Sequence, residues 1–502
     1  MSFNRSLILI ALLLSLTTRV FGQTKFGLSE YPKMVNLSDS QISPDGKSVV
    51  VVVSRPDYDK NRNNAELVMI DVNSGKKRVL TQNRSAVSSP RWSPDGTLLA
   101  FISKAGLTKE SLNQIFVLSM NGGEARQVTH AIKGVQHFAW SPNSTDIAFA
   151  TLNEATNKEE VEKGYTAFEI TNNDMFVSSK PLVSHIWLAN TETAETRRLT
   201  DGTWTLPQVI PPSAPSSPFS WSPDGKSILF VKVESPYSGD AMTRSIQLLN
   251  VADSTFKPLT KRTKLEAYPN FSPDGNKISY WYKQGDHISS INELWITDYS
   301  GNEGKVISSN LNRDLYLSAW LPDSKSFLVG GHNDNKTSLW SMTMDGKTTP
   351  IDLGNICPSW GFWMDATVSK AGSIAFTGSE PDKPIELYYL ASTASKPKQL
   401  TNYNEPISKM TLGKTETIRW ENDKFKHCGI VTYPADYVKG KKYPLVLLIH
   451  GGPNSASVEA FSRMGQLMAS EGFFVFEPNY RGSDNLGYEY KLAIIEDMGE
   501  GP

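Results

Sequence analysis

Short apolar runs alternate with polar turns at a nearly constant spacing through most of this chain. The runs at 48–53, 98–103, 147–151, 228–233, 278–282, 327–331 and 374–378 are rich in Val, Ile, Leu and Phe. Each follows a turn: Ser43-Pro44-Asp45-Gly46, Ser93-Pro94-Asp95-Gly96, Ser222-Pro223-Asp224-Gly225 or Ser272-Pro273-Asp274-Gly275, with looser copies at Ser141-Pro142-Asn143-Ser144, Leu321-Pro322-Asp323-Ser324 and Ser369-Lys370-Ala371-Gly372. Pro presets φ at the second position of a type I turn, Asp suits the third, and Gly tolerates the exit. The starts of the seven copies are 50, 48, 81, 50, 49 and 48 residues apart, a period that marks a solenoid, propeller or array.

Each unit predicts four strands. One precedes the turn, as in Pro90-Arg91-Trp92 or Phe138-Ala139-Trp140; one follows it; two more close the unit, as at 66–72 with 78–81, across polar turns such as Asn73-Ser74-Gly75. Seven such units predict a seven-bladed β-propeller over 23–408, in which radial packing protects the sheet edges. The turn residues then serve geometry, and Trp92, Trp140, Trp221 and Trp320 are expected in the core between blades. The 81-residue interval carries about 30 extra residues, and such insertions gather on one face of the repeat, where binding occurs. It includes a charged run at 158–163 expected as a solvated helix face, and a proline-rich stretch at 207–218 expected to be extended.

From about Thr411 the period lapses. Segments 417–420 and 428–433 predict a hairpin, 443–450 a continuous apolar strand, 457–470 a helix ended by Gly472, and 473–478 a further strand. A strand apolar throughout suits an open, mostly parallel sheet. The expected fold is therefore an all-β seven-bladed β-propeller followed, over 409–502, by the incomplete N-terminal part of an α/β-hydrolase domain. At 502 residues and 39% apolar composition, the chain can bury cores of this size.

The first 22 residues predict a secretory leader. Arg5 begins it, 7–16 form a ten-residue apolar stretch too short to span a bilayer, and Val20-Phe21-Gly22 suits cleavage. The mature protein is then exported, periplasmic or secreted, with no membrane span. Cys357 and Cys428 could pair in that compartment or stay as buried thiols. A net charge of -1 with mixed signs gives no footprint for nucleic acid. No clustered His/Cys spacing or phosphate-binding loop supports a metal or cofactor.

His450-Gly451-Gly452-Pro453 ends the apolar run, and Asn479-Tyr480-Arg481-Gly482-Ser483 with Gly487-Tyr488 ends the next strand. Propeller repeats followed by these motifs resemble the prolyl oligopeptidase family of serine peptidases, the dipeptidyl-peptidase and acylaminoacyl-peptidase branches above all. The resemblance implies an exopeptidase for short peptides, with the propeller restricting access. It assigns an oxyanion-hole donor to the Gly451 and Gly452 turn, most directly to the Gly452 amide, since glycine lets backbone N–H groups approach the developing charge. Candidate holders of a peptide's free amine are Glu169 and Asp174. Arg481 resembles the family's Arg at this turn, as a substrate contact or, preferably, in a structural ion pair. His450 falls too early for a triad base, and Ser483 is expected as a turn residue. No Gly-x-Ser-x-Gly occurs before Pro502, so the 502 residues lack the triad and are expected to be inactive. A non-catalytic binding propeller with a remnant hydrolase domain and an esterase are the competing readings.

Overall fold

The structure is a computed structural model. It describes residues 24–497 except 107, 109, 166, 169–179, 208–217, 238–239, 360–362, 423 and 453. The leader, Glu169, Asp174 and most of the proline-rich stretch lie outside the described residues.

The valine run after the first turn shows how the rest is built. Strand Ser48–Asp57 sits inside its sheet, and successive side chains leave opposite faces. Val50 and Val52 pack with Leu99, Phe101 and Phe116 of the second sheet. Val49, Val51 and Val53 pack with Ala375 and Leu387 of the seventh. Both faces are buried, so no polar position interrupts the run. Each sheet repeats this arrangement. Seven antiparallel sheets, six of four strands and the last of five, follow one another along the described residues. A separate apolar core fills every junction, including the one that joins seventh to first.

Polar bonds fix the junctions. Trp92, Trp140, Trp221 and Trp320 each donate Nε1–H to a carbonyl of the preceding sheet, those of Gln41, Arg91, Ala139 and Asn270, at 2.9–3.3 Å. The closing junction uses Ser40 N on Asp365 Oδ1 (2.8 Å), Ile42 N on Thr367 Oγ1 (3.1 Å) and Lys370 N on Pro44 O (3.1 Å). Within five of the sheets, a hydroxyl near the end of the repeat satisfies an amide of the penultimate strand. Thr81, Thr129, Thr200, Ser308 and Thr401 accept from Leu67, Ile115, Ile186, Leu294 and Leu387, always 14 residues earlier. In the fourth sheet Glu266 replaces the hydroxyl, accepting from Ile246 N and from Thr260 Oγ1.

An eighth sheet follows. Hairpin Thr415–Asn422 and Phe425–Thr432 adds Phe474–Pro478 antiparallel and Leu445–Leu447 parallel to it. Two details depart from the sequence reading. The apolar run 443–450 yields a three-residue edge strand whose Leu445, Leu447 and Ile449 are exposed, because it is bonded on one side only. Val475, by contrast, is fully buried because its strand lies between two others. The helix is Arg463–Ser470, shorter than expected, because Ser462 caps it by accepting Gly465 N at 3.1 Å. This domain meets the propeller through a core of Phe26, Met34, Ile407 and Leu467. Cys357 and Cys428 are both free and buried.

The Thr129 hydroxyl accepts Ile115 N–H at 2.9 Å and donates to Gln114 Oε1 at 2.8 Å. Thr129→Val strands a buried amide and is expected to cost about 2 kcal/mol. The urea midpoint should fall while the slope of the transition is unchanged.

Candidate active site

The His450-Gly451-Gly452 turn leaves the edge strand and is exposed at both glycines. Gly452 has φ 131°, and a Cβ there would lie 2.8 Å from Asn454 N, whereas one at Gly451 would meet nothing within 4 Å. Only the second glycine is demanded by conformation.

Loop 479–485, after strand Phe474–Pro478, clamps the turn and the residues that follow it. Tyr480 O–H donates to His450 O at 2.6 Å, and its ring stacks on the imidazole at 4.6 Å. Asp484 N–H donates to Ser455 O (3.2 Å). Asn479 pairs with Ser457, accepting its N–H (2.7 Å) and donating to its carbonyl (2.9 Å). His450 Nδ1 faces Gly451 O (3.2 Å), which assigns the ring proton to that nitrogen. Burial pushes the imidazole pKa below its ordinary value, and Nε2 accepts the Ser483 hydroxyl at 3.0 Å. This serine–histidine contact is not a nucleophile and base. Ser483 is fully buried, and the far nitrogen meets a carbonyl rather than a carboxylate.

A hairpin of the sixth sheet holds the clamp in turn. His332, ending strand Ser326–Asn333, donates Nδ1–H to Asp484 Oδ1 at 2.6 Å, and Tyr316 O–H bonds Oδ2. Both ends of the His332–Asp484 pair are fully buried. Burial alone would raise the Asp484 pKa, but His332, Lys491 and Tyr316 outweigh it and hold it at about 2. Lys491 pairs with buried Asp314, which also accepts Asn292 N and Nδ2, both at 2.8 Å. At the hairpin tip, Asp334 N donates to Asn485 O (2.9 Å), and Arg419 grips the Asp334 carboxylate with two bonds of 2.7 and 2.6 Å. Arg481 ion-pairs with Asp497 at 2.9 Å. Cys428 Sγ accepts from Asn479 and Asn485, and burial pushes its thiol up to about 11.

Along the ring axis lies a cavity of about 750 Å³, walled by inner-strand residues of the sheets and closed on the C-terminal side by Val458, Ala460, Phe461 and Arg463. Its lining includes Asp39, Arg91, Gln136, His137 and Asp365. Burial, with the Asp39 carboxylate second, pushes Asp365 up to about 7. Among the described residues, no group of three His, Cys, Asp or Glu is arranged to hold a metal.

The profile of the TolB beta propeller domain matches residues 33–166, so the chain carries a β-propeller domain. Dipeptidyl-peptidase 5 of Porphyromonas gingivalis is 25% identical over 493 residues, 92% of this chain and 69% of that protein. Dipeptidyl-peptidase 5 of Aspergillus fumigatus is 25% identical over 319 residues, 58% of this chain and 43% of that protein. The fold is shared with the acylaminoacyl peptidase of Pyrococcus horikoshii at TM-score 0.73 and 19% identity, over 94% of this chain and 69% of that one. Over nearly its whole length the chain is thus similar in sequence to a dipeptidyl-peptidase and shares the fold of an acylaminoacyl peptidase. The structure brings the Gly451–Gly452 turn together with the loop that carries Arg481. It also enlists Asp484, His332, Tyr316 and Tyr480, which the sequence reading did not single out. Asp484 directly follows the Asn479–Ser483 motif and His332 the apolar run 327–331, but nothing in the chain signals that they meet.

Two outcomes are expected. Gly451→Ala leaves the turn intact, whereas Gly452→Ala strains it and speeds proteolysis at 450–457; equal behaviour of the two would contradict the geometry. An acid whose folded pKa is about 7, against an unfolded value of roughly 3.9, binds its proton more tightly in the native state. Asp365 therefore adds stability below pH 4 that is lost as pH rises to 7. Thermal midpoints at pH 5 and pH 8 should differ less in Asp365→Asn than in the parent.

Proposed function

We propose that this protein is an exported serine-type exopeptidase, of dipeptidyl or acylaminoacyl type, that hydrolyses short peptides. In this reading the seven sheets are the blades of a propeller over 23–408, and 409–502 opens an α/β-hydrolase domain. Residues 1–22 direct export to the periplasm or beyond.

The observation that carries the reading is the exposed, clamped Gly451–Gly452 turn. Acyl transfer places negative charge on the carbonyl oxygen at the tetrahedral stage, and a fixed backbone N–H aimed at that oxygen lowers the barrier. Gly452, held at φ 131°, presents such an amide; a second is expected from the residue after the nucleophile. The axial cavity of about 750 Å³ suits short peptides and excludes folded chains. Glu169 and Asp174 are proposed to meet a free α-amine, and Arg481, through Asp497, to brace the turn rather than to touch substrate. The dipeptidyl-peptidase and acylaminoacyl-peptidase names of its relatives support the substrate class.

The test is the intact mass of the protein isolated from its host, with peptide turnover measured on the same sample. A mass well above the 55.6 kDa of these 502 residues, together with cleavage of short peptides, is the expected result. A mass equal to this chain less its leader, with peptide binding and no turnover, would replace the peptidase reading with a binding propeller.

A further inference from the structure

We infer that the sixth-sheet hairpin sets the geometry of the Gly451–Gly452 turn, with His332 as the positioning residue. The inference rests on the reading of that turn as an oxyanion donor and adds what holds it in place.

The chain of contacts is short and buried. His332 binds Asp484 at 2.6 Å. Asp484 is bonded through its own amide to Ser455, and its neighbour Ser483 holds the His450 ring at 3.0 Å. His450 is joined directly to Gly451. His332, Asp484 and Ser483 are all at 0% exposure, so water cannot replace a lost partner, and an unmade bond costs its full desolvation.

The hairpin is shaped for this contact. Gly331, beside His332, admits the Asp314 backbone, since a Cβ there would lie 2.2 Å from Asp314 O. Asp314 in turn holds Lys491, on the short helix Tyr488–Leu492 beyond the clamp. At the tip, Asn335 Nδ2 donates to Thr417 Oγ1 (2.6 Å) and Asn335 O accepts Glu459 N–H (2.8 Å). The hairpin's hydrogen bonds thus reach both the loop that clamps the turn and the segment that follows it. Organisation of the turn is thereby conditional on the propeller being seated.

Hydrogen exchange read by mass spectrometry on the 502-residue chain tests this without any substrate. In His332→Phe, peptides covering 450–457 and 479–486 are expected to exchange about tenfold faster, while 98–104 in the second sheet keeps its parent rate. His332→Asn, which retains a donor near the position of Nδ1, is expected to restore slow exchange. Ser483→Ala cuts the chain at its other end, so 450–452 should loosen while 479–486 stays protected; this variant serves if His332→Phe does not fold. Parent-like exchange at 450–452 in Ser483→Ala, or at 450–457 in a folded His332→Phe, would overturn the inference. Loosening as expected in a protein whose native form cleaves no peptide would leave the positioning role standing and remove the oxyanion reading instead.

Discussion

A sheet whose middle strands are apolar on both faces cannot end at a single neighbour. Each of the seven sheets carries that obligation, and the first and last discharge it against each other. Ring closure follows from this two-sided burial rather than from any special closing segment. Polar groups then select the register: indole N–H groups span successive sheets, and Ser40, Ile42 and Lys370 fix the last junction. The axial cavity is what remains between the inner edges of seven sheets packed face to face, and its polar lining comes from the inner strands that face it.

The junction with the C-terminal domain has a different character. A small apolar core at Phe26 and Leu467 is accompanied by a buried network of Asp314, Lys491, Tyr316, His332 and Asp484. Desolvating so many charges gives little net stability, and removing one partner is costly. What such a network supplies is discrimination, because a domain shifted by one residue would leave charges unpaired. Position, more than affinity, is what a site needs from the element beside it.

The repeats were legible because turn chemistry is local. Pro, Asp and Gly within four residues, followed by a run of β-branched side chains, determine a turn and a strand without help from distant sequence. The hydroxyls of Thr81, Thr129, Thr200 and Thr401 were also in plain view, at the ends of Val-Leu-Thr, Gln-Val-Thr, Arg-Leu-Thr and Gln-Leu-Thr. Their role emerges only when the strand beside them is placed. The glycine turn could be found from its motif, whereas its supports could not: His332 and Asp484 are 152 residues apart, and neither lies in a pattern with a meaning of its own. The segment 443–450 misled for the opposite reason, since an apolar run reports that a strand is suited to burial and not how many neighbours it has.

Strand Ser48–Asp57 has a property that comes from alternation alone. Its five valines divide between two junctions, with Val49, Val51 and Val53 at the seam where the chain's two ends of the ring meet, and Val50 and Val52 at an ordinary contact between consecutive sheets. Methyl resonances from one strand therefore form an internal gauge. Odd-numbered valines register the seam and even-numbered ones the reference, in the same molecule and at the same temperature.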